Sequence, residues 1–421
     1  FRSKSPSILK GEPKFRFSFL YKHRKRDYEL MKKISYSKIL TIQIVLNIVF
    51  TLLIFNQIGI FFFIFQEIIL ILVLFLKKKN IYLSVVFLPF IFMYTYGLIL
   101  YTIAQTNLKL TLPIYIVYFT GMLLILIPVV KEKFGKIKQE LIRLISLIWL
   151  VLISIHSVGI FPIVTREQNE LLYAINASGI LYAFVTFICV YILLKLWGHD
   201  FHFNLHVKNT GMRYYGVLLL SLLFIIWYTF FSIFLGLAQS SNEIFNNWNV
   251  SLINPDYSAK YINVVEIVLN SLDPAIYEEV ERYGYIIILL VIFKSKKYQM
   301  QGAIFISALL FSLSHIGNFF TTDMSFNDVI SQTIVAFGLG CFLAVMLLYT
   351  GKVWINILIH FSFDFLVFSI TDIGYLTVSI FNKNNGWLLK SSIELCILLF
   401  ATFIFAKFNK KILKMNIEEL I

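Results

Sequence analysis

Charged side chains are scarce in this chain. Asp, Glu, Lys and Arg make up 14% of its 421 residues, whereas 59% of the residues are hydrophobic. A soluble globular protein carries about 25% charged residues. A soluble protein of this composition would have too little polar surface to stay dispersed, so we expect most of the chain to face lipid.

Cysteine is rare as well. Cys189, Cys341 and Cys396 all lie inside apolar runs, without the CxxC spacing of a zinc site or the even number of a disulfide framework, so we expect them to be inert. Walker, Rossmann and nucleic-acid motifs are absent. The net charge of +14 does not predict nucleic-acid binding either, because the basic residues lie at the ends of apolar runs.

Apolar runs dominate what remains. Runs of about 20 residues, the length that crosses a hydrocarbon core of about 30 Å as a helix, recur along the whole chain. Helices are the spanning structure that fits them. The predicted fold is therefore an all-α, polytopic transmembrane helix bundle of about 12 spans. These spans are placed at residues 39–58, 60–76, 81–103, 112–130, 142–164, 171–197, 214–238, 274–293, 302–318, 328–349, 353–372 and 387–407.

The basic residues predict the orientation of the spans. With a cytoplasmic N-terminus, the cytoplasmic loops hold most of the lysines and arginines, which is the positive-inside pattern. The pattern predicts both termini in the cytoplasm and a multi-pass protein of the cell membrane, and the Ile-, Lys- and Asn-rich composition suggests a bacterial source. The cytoplasmic loops hold Lys77, Lys78, Lys79, Lys131, Lys133, Lys136, Lys138, Lys208, Arg213, Lys294, Lys296, Lys297 and Lys352, against Lys109, Arg166, Lys260 and Lys383 outside.

The chain divides into five predicted parts. A basic cytoplasmic segment, 1–38, precedes the N-terminal transmembrane helices, 39–238. A polar extracytoplasmic loop, 239–262, leads to a second transmembrane domain, 263–407, and a cytoplasmic tail, 408–421. Met31 followed by two lysines is typical of a bacterial start, so we expect residues 1–30 to be an upstream extension or a non-native piece.

Ionisable side chains cluster in the second transmembrane domain. A charge deep in a span costs at least about 2.5–3.5 kcal/mol, so it needs a partner, a water cavity or a function. In the segment DPAIYEEVERYGYIIILLVIF, Asp273 and Pro274 are typical of an N-cap and a first helical position. They predict a helix whose second and third turns carry Glu278, Glu279, Glu281 and Arg282, with Glu278 and Arg282 on one face.

Two later runs add His315, in FISALLFSLSHIGNFF, and His360 with Asp364, in NILIHFSFDF. His360 and Asp364 are four residues apart and share a helix face. The helical rise places Glu278, His315, His360 and Asp364 about 22, 21, 13 and 19 Å from the cytoplasmic surface. Amide hydrolysis needs a carboxylate that takes a proton from water, imidazoles that orient this water or hold a metal, and oxyanion donors.

A structural interpretation competes with this one. Glu278 could pair with Arg282 and His360 with Asp364, and the two pairs could simply hold helices together. The combination of all these groups at one depth favours a function instead, because intramembrane ionisable residues usually have one.

At these residues the chain resembles the CPBP family of intramembrane proteases, which includes CAAX prenyl endopeptidases and Abi-type bacteriocin-processing or immunity proteins. Three short motifs on separate membrane helices mark the family. They are two adjacent glutamates followed by an arginine, a Phe four residues before a His, and a His four residues before an Asn or Asp. The matching residues are Glu278 and Glu279 with Arg282, Phe311 with His315, and His360 with Asp364.

The resemblance covers about residues 270–365 and implies roles for these residues. Glu278 would be the general base, supported by Glu279 and Arg282. The remaining residues, His315, His360 and Asp364, would position the water or bind Zn²⁺ and stabilise the oxyanion, although two glutamates and two histidines could also act without a metal.

One position departs from the family pattern. Aligned on Gly284, the family arginine falls on Tyr283, and Arg282 stands one residue early. A shift of one residue turns a helical side chain by about 100°. Either Arg282 reaches the site from another angle, or the role of the arginine is lost.

The sequence thus predicts an intramembrane CPBP-type endopeptidase in the lipid bilayer, with residues 263–407 as its protease domain. Its expected substrate is a peptide precursor or membrane protein, such as a bacteriocin, signal-peptide or CAAX-like substrate, and it could belong to a peptide-processing or secretion complex. Two alternatives stay open. One is a transporter that uses the Glu and His cluster, and the other is a non-catalytic immunity or scaffold protein of the same family.

Overall fold

The computed structural model describes residues 35–54, 58–76, 81–106, 111–156, 164–203, 211–245, 248–321, 324–371, 379–382 and 386–421. Residues 1–34, most of the predicted basic segment, lie outside the described residues. Within the described ranges the chain is all-helical, and its strand-like pairing is limited to an isolated bridge between Ile253 and Ile370. The predicted all-α class is therefore confirmed.

The longer helices follow the predicted spans closely. We number them α1 (Tyr36–Leu53), α2 (Ile60–Leu76), α3 (Ile81–Thr106), α4 (Thr111–Glu132), α5 (Glu140–Ile148, continued by a π-helical stretch, Trp149–His156), α6 (Glu170–Ser178), α7 (Ile180–Leu196), α8 (Met212–Leu237), α9 (Val264–Ile292), α10 (Gln299–Ser314), α11 (Phe326–Thr350), α12 (Val353–Phe368), α13 (Gly386–Phe408) and α14 (Lys410–Leu420).

Length and apolarity identify the helices that can cross a membrane. Seven of the described helices qualify, or eight if the bent pair α6 and α7 forms one span. The chain is thus a multi-pass membrane protein, whereas the count of about 12 spans and the cytoplasmic termini stay predictions. Helices α9 and α12 are not among the seven. Helix α9 carries a cluster of charged residues, and α12 has only 16 residues.

Helix α9 corrects the predicted start of the first motif helix. The helix begins at Val264, and its N-cap is Asn263, whose side chain accepts a hydrogen bond from the backbone amide of Glu266 at 2.9 Å. Pro274 therefore lies inside the helix, and the predicted N-cap at Asp273 is wrong. A proline removes one backbone hydrogen bond. Membrane helices tolerate this loss when neighbouring groups compensate for it, so the helix can begin before Pro274 and run through it. Glu278 becomes the fifteenth of 29 residues.

Helix α9 is the central helix around the site. It packs against α12, α7, α10, α5 and α6. Its residues from Glu278 to Leu290 are all buried. This surrounding layer keeps the charged side chains of α9 away from lipid, which is where intramembrane charges are tolerated.

The polar segment before α9 is tied to the end of α12. The backbone amides of Asn254 and Ala259 donate to the carbonyls of Ser369 and Ile370 at 2.8 and 2.9 Å. The Lys260 ammonium consequently lies 4.8 Å from the centre of the Phe368 ring, one turn beyond Asp364 on α12. Desolvation lowers the pKa of Lys260, while the charge of Asp364 raises it.

The predicted span 171–197 bends by 47° between α6 and α7. Gly179 lies at the bend with a φ of +81°, a left-handed conformation that favours glycine. A Cβ at this position would lie 3.2 Å from Oδ2 of Asp273. The bend therefore requires glycine for both its backbone angle and its close approach to α9.

We expect Gly179→Ala to lower the free energy of unfolding by at least about 1 kcal/mol, because alanine is strained at positive φ. Chemical unfolding in detergent measures the change. Gly216→Ala is the matched control: Gly216 lies within α8, its φ is not positive, and a Cβ there would have nothing within 4 Å. It should leave stability unchanged or raise it by up to about 1 kcal/mol. If both variants lower the free energy of unfolding equally, the bend does not require glycine at position 179.

Candidate active site

Glu279 is the most fully bonded carboxylate of the cluster. Its Oε1 accepts a hydrogen bond from Arg282 Nη1 at 2.7 Å and lies 2.8 Å from His360 Nδ1. Its Oε2 accepts from Asn356 Nδ2 at 3.1 Å. With both oxygens engaged and 1% of its side chain exposed, Glu279 joins α9 to α12 and is poorly suited to take up a proton.

Glu278 is bonded differently. Its Oε1 accepts from the Tyr277 hydroxyl at 3.0 Å, whereas its buried Oε2 has no hydrogen-bond donor among the described residues. This Oε2 lies 3.6 Å from His360 Nε2, which is too long for a direct hydrogen bond. A water molecule bonded to both atoms would satisfy each of them. Glu278 therefore has the available oxygen that a general base needs.

His360 connects the glutamates with Asp364. Its Nδ1 faces Glu279, and its Nε2 lies 3.5 Å from Asp364 Oδ2. A hydrogen bond from Nδ1–H to the Glu279 carboxylate would fix the ring orientation and direct Nε2 toward Glu278 and Asp364. The i, i+4 spacing of His360 and Asp364 predicted that they share a helix face, and their side chains do lie next to each other in the site.

Arg282 reaches the site despite its early position. The side chain is fully buried, its guanidinium lies 3.8 Å from the centre of the Phe311 ring, and it bonds to Glu279. The predicted pair of Glu278 with Arg282 is therefore replaced by the i, i+3 pair of Glu279 with Arg282. Among the described residues, the Nε and Nη2 groups of Arg282 have no hydrogen-bond acceptor.

Tyr283, the residue at the aligned family position, turns away from the site. Its hydroxyl donates to the carbonyl of Asp200 at 2.9 Å and accepts from the backbone amide of His202 at 3.2 Å. Its ring packs against Phe201 with the centroids 4.8 Å apart. Tyr283 thus anchors the segment after α7, and the guanidinium in the cluster comes from Arg282.

Phe311 joins the second motif to the other two. His315, the first residue after α10, packs edge-on against Phe311 at 5.1 Å between ring centroids. His360 packs against the same ring at 6.3 Å. The Phe311 ring is thus the common contact of Arg282, His315 and His360.

Sequence reasoning missed two contributors to the cluster, Asn356 and Tyr277. Asn356 lies one turn before His360 on the same face of α12, and its side chain donates to Glu279 and to the carbonyl of Leu343 at 2.8 Å. A polar residue four positions before a motif histidine is the signal that could have revealed it. Nothing in the sequence distinguishes Tyr277 from the other tyrosines near span ends.

Asn356→Ala should lower the free energy of unfolding by about 1–3 kcal/mol, because a buried carboxylate oxygen of Glu279 loses its donor. Chemical unfolding in detergent measures this loss. Asn270→Ala is the control, since the Asn270 side chain only donates to the carbonyl of Glu266 within the same helix. A loss no larger in Asn356→Ala than in Asn270→Ala would show that Asn356 does not support the cluster.

The residues predicted as metal ligands do not form a closed set. Among the described residues, no three His, Cys, Asp or Glu side chains are grouped so that they could hold a metal ion. Phe311 contacts both His315 and His360, and each ring nitrogen of His360 faces a carboxylate. Among the described residues, His315, His360 and Asp364 therefore do not form a preformed three-ligand zinc site, and the use of Zn²⁺ stays a prediction.

Residues 260–366 match the family model of the type II CAAX prenyl endopeptidase Rce1-like proteins. The matched segment begins at Lys260 and contains every member of the cluster described above. No curated protein and no solved structure matches the chain. The match covers about a quarter of the chain, and it confirms the resemblance to the CPBP family that the three motifs indicate.

Proposed function

We propose that the chain hydrolyses a peptide bond inside the membrane, with a water molecule activated by Glu278. The observation that carries this proposal is the contrast between two adjacent glutamates. Glu279 is bonded to Arg282, His360 and Asn356, whereas one oxygen of Glu278, opposite His360 Nε2, has no donor in the described part of the chain. Neighbouring carboxylates in different environments are typical of a site that assigns them different roles.

In the proposed reaction, Glu278 takes a proton from the water as the water oxygen attacks the scissile carbonyl carbon. His360 orients the water through Nε2, and Glu279 fixes the imidazole through Nδ1. The tetrahedral intermediate then collapses, and Glu278 returns its proton to the leaving amine. The peptide C–N bond is thus replaced by a carboxylic acid, which then releases its proton, and an amine, without a covalent intermediate.

The oxyanion of this intermediate needs donors that are not already bonded. Arg282 supplies two, because its Nε and Nη2 groups are buried without an acceptor among the described residues. His315, on the same Phe311 ring, is the second candidate donor. Donors fixed in a buried site stabilise developing charge more strongly than donors in water.

We infer that the substrate is a membrane-associated protein or a peptide precursor, since the site lies on helices inside the bundle. A bacteriocin or signal-peptide precursor and a CAAX-like C-terminus are the candidate substrates. The contact of Arg282 with Glu279 supports the catalytic proposal over the non-catalytic alternative, because it places a guanidinium in the cluster despite the shifted motif.

The test is a cleavage assay in liposomes with bacterial leader peptides and prenylated peptides, in which mass spectrometry detects new peptide termini. We expect new termini with the wild type and none with His360→Ala. Equal cleavage by both proteins would contradict the proposal. A wild type that produces no new termini but changes the flux of a solute would favour the transporter.

In the proposed reaction no step passes through a metal. We therefore expect that removing divalent metals with a strong zinc chelator leaves the cleavage rate unchanged within about twofold. A twofold change in rate corresponds to a change of less than about 0.5 kcal/mol in the activation free energy. Loss of cleavage with the chelator and its recovery with added Zn²⁺ would instead establish the metal-assisted mechanism.

A further inference from the structure

A cavity of about 380 Å³ lies among α1, α2, α3 and α4, and none of its lining residues belongs to the catalytic cluster. Its volume falls in the range of small-molecule sites, about 300–1,000 Å³. The inner wall, which we call the apolar floor, consists of Leu40, Ile44, Val73, Leu74 and Ile81. Its other lining residues, which we call the basic rim, are Ser37, Thr41, Glu132, Lys133 and Lys136.

The basic rim lies where the positive-inside pattern places the cytoplasmic membrane surface. Lys133 and Lys136 follow the end of α4, and Lys136 pairs with Glu132 at 2.5 Å while 57% of its side chain stays exposed. Lys131, just before them, donates to the Tyr36 hydroxyl at 2.9 Å. The lining of this end holds two lysines against one carboxylate and therefore has a net positive charge.

We propose that this cavity binds an anionic phospholipid, with its phosphate at Lys133 and Lys136 and the start of an acyl chain on the apolar floor. The ligand must combine a negative head with an apolar tail, because the rim is cationic and the floor consists of aliphatic side chains. Ser37 adds a hydroxyl group that can donate to a phosphate oxygen, whereas the Thr41 hydroxyl already donates to the carbonyl of Ser37 at 2.9 Å. A basic pocket between membrane helices is a typical headgroup site.

The cavity also suggests a role for the N-terminal helices, which the catalytic cluster leaves without one. Helices α1 and α2 contribute nothing to the active site, yet their ends supply most of the floor. A lipid seated there would contact α1, α2, α3 and α4 together. Lipid binding should therefore stabilise the N-terminal part of the bundle, whether or not the chain is a protease.

The experiment measures binding to the delipidated full chain in neutral detergent by native mass spectrometry and by thermal unfolding. The probes are phosphatidylglycerol, phosphatidylcholine and inorganic phosphate. We expect phosphatidylglycerol to bind and to raise the unfolding temperature. In Lys133→Gln/Lys136→Gln its affinity should fall about 30-fold, because each lysine near the surface contributes a factor of about five and the two factors multiply.

The double variant Lys296→Gln/Lys297→Gln is the matched control, because these exposed lysines lie between α9 and α10 and removing them changes the net charge equally. It should keep the wild-type affinity. A third variant, Ile44→Trp, fills the space above the apolar floor. It should weaken the binding of phosphatidylglycerol and leave any weak binding of inorganic phosphate unchanged.

Three results would overturn the proposal. The first is equal binding of phosphatidylglycerol and phosphatidylcholine. The second is an equal loss of affinity in both lysine variants, which would indicate a general charge effect. The third is inorganic phosphate that binds as tightly as the lipid, which would show a headgroup site without a role for the apolar floor.

Discussion

Replacing Arg282 with methionine should lower the free energy of unfolding by about 3–5 kcal/mol, the usual cost of removing one partner from a buried ion pair. The guanidinium is fully buried between the Glu279 carboxylate and the Phe311 ring. Methionine fills similar space but leaves Glu279 with an uncompensated charge in the bundle interior. Chemical unfolding in detergent, followed by tryptophan fluorescence, measures the loss.

Lys195→Met is the control for this experiment. Lys195 pairs with Asp200, and both side chains are largely exposed. Exposed pairs contribute about 0–1 kcal/mol, so the control should change stability little. If Arg282→Met costs no more than Lys195→Met, Arg282 is not the group that holds the Glu279 carboxylate.

Replacing Glu278 with glutamine should lower the rate of peptide cleavage by about 10²–10⁴-fold, the usual contribution of a general base. Glutamine keeps the size of the side chain and can still accept a hydrogen bond from Tyr277, so the fold should persist. It cannot take up a proton from water. The cleavage rate in liposomes measures the effect, and the unfolding temperature checks the fold.

The same substitution at Glu281 is the matched control. Glu281 is buried on the same helix, but it accepts a hydrogen bond from Tyr285, and among the described residues no hydrogen bond joins it to Glu278, Glu279 or His360. Glu281→Gln should therefore cleave at a rate close to that of the wild type. If Glu278→Gln and Glu281→Gln lower the cleavage rate equally, the rate depends on the total charge of the helix and not on a general base at position 278.

The sequence predicted much of the cluster because its residues follow simple spacing rules. His360 and Asp364 share a helix face at i, i+4, and the structure places their side chains 3.5 Å apart. The depth calculation placed Glu278 and His360 on different helices in one layer of the membrane, and their side-chain atoms lie 3.6 Å apart. Helical rise and periodicity are local properties, so a sequence carries them directly.

Other features depend on contacts between helices and could not be read from spacing. Arg282 can reach Glu279 or Glu278 by helix geometry, and the bonds of Glu279 to Asn356 and His360 on α12 place that carboxylate within reach. The N-cap predicted at Asp273 failed for a related reason. Asx and proline signals are local preferences, and the packing of α9 against its neighbouring helices outweighs them.

The hydrolysis of a peptide bond by water in the buried cluster is the central claim, and isotope labelling tests it most directly. Cleavage by the wild type in water enriched in the heavy oxygen isotope should place one labelled oxygen in the new C-terminal carboxylate, and Glu278→Gln should yield almost no product. Peptide termini that form equally with Glu278→Gln, or products without the label, would contradict water activation by Glu278.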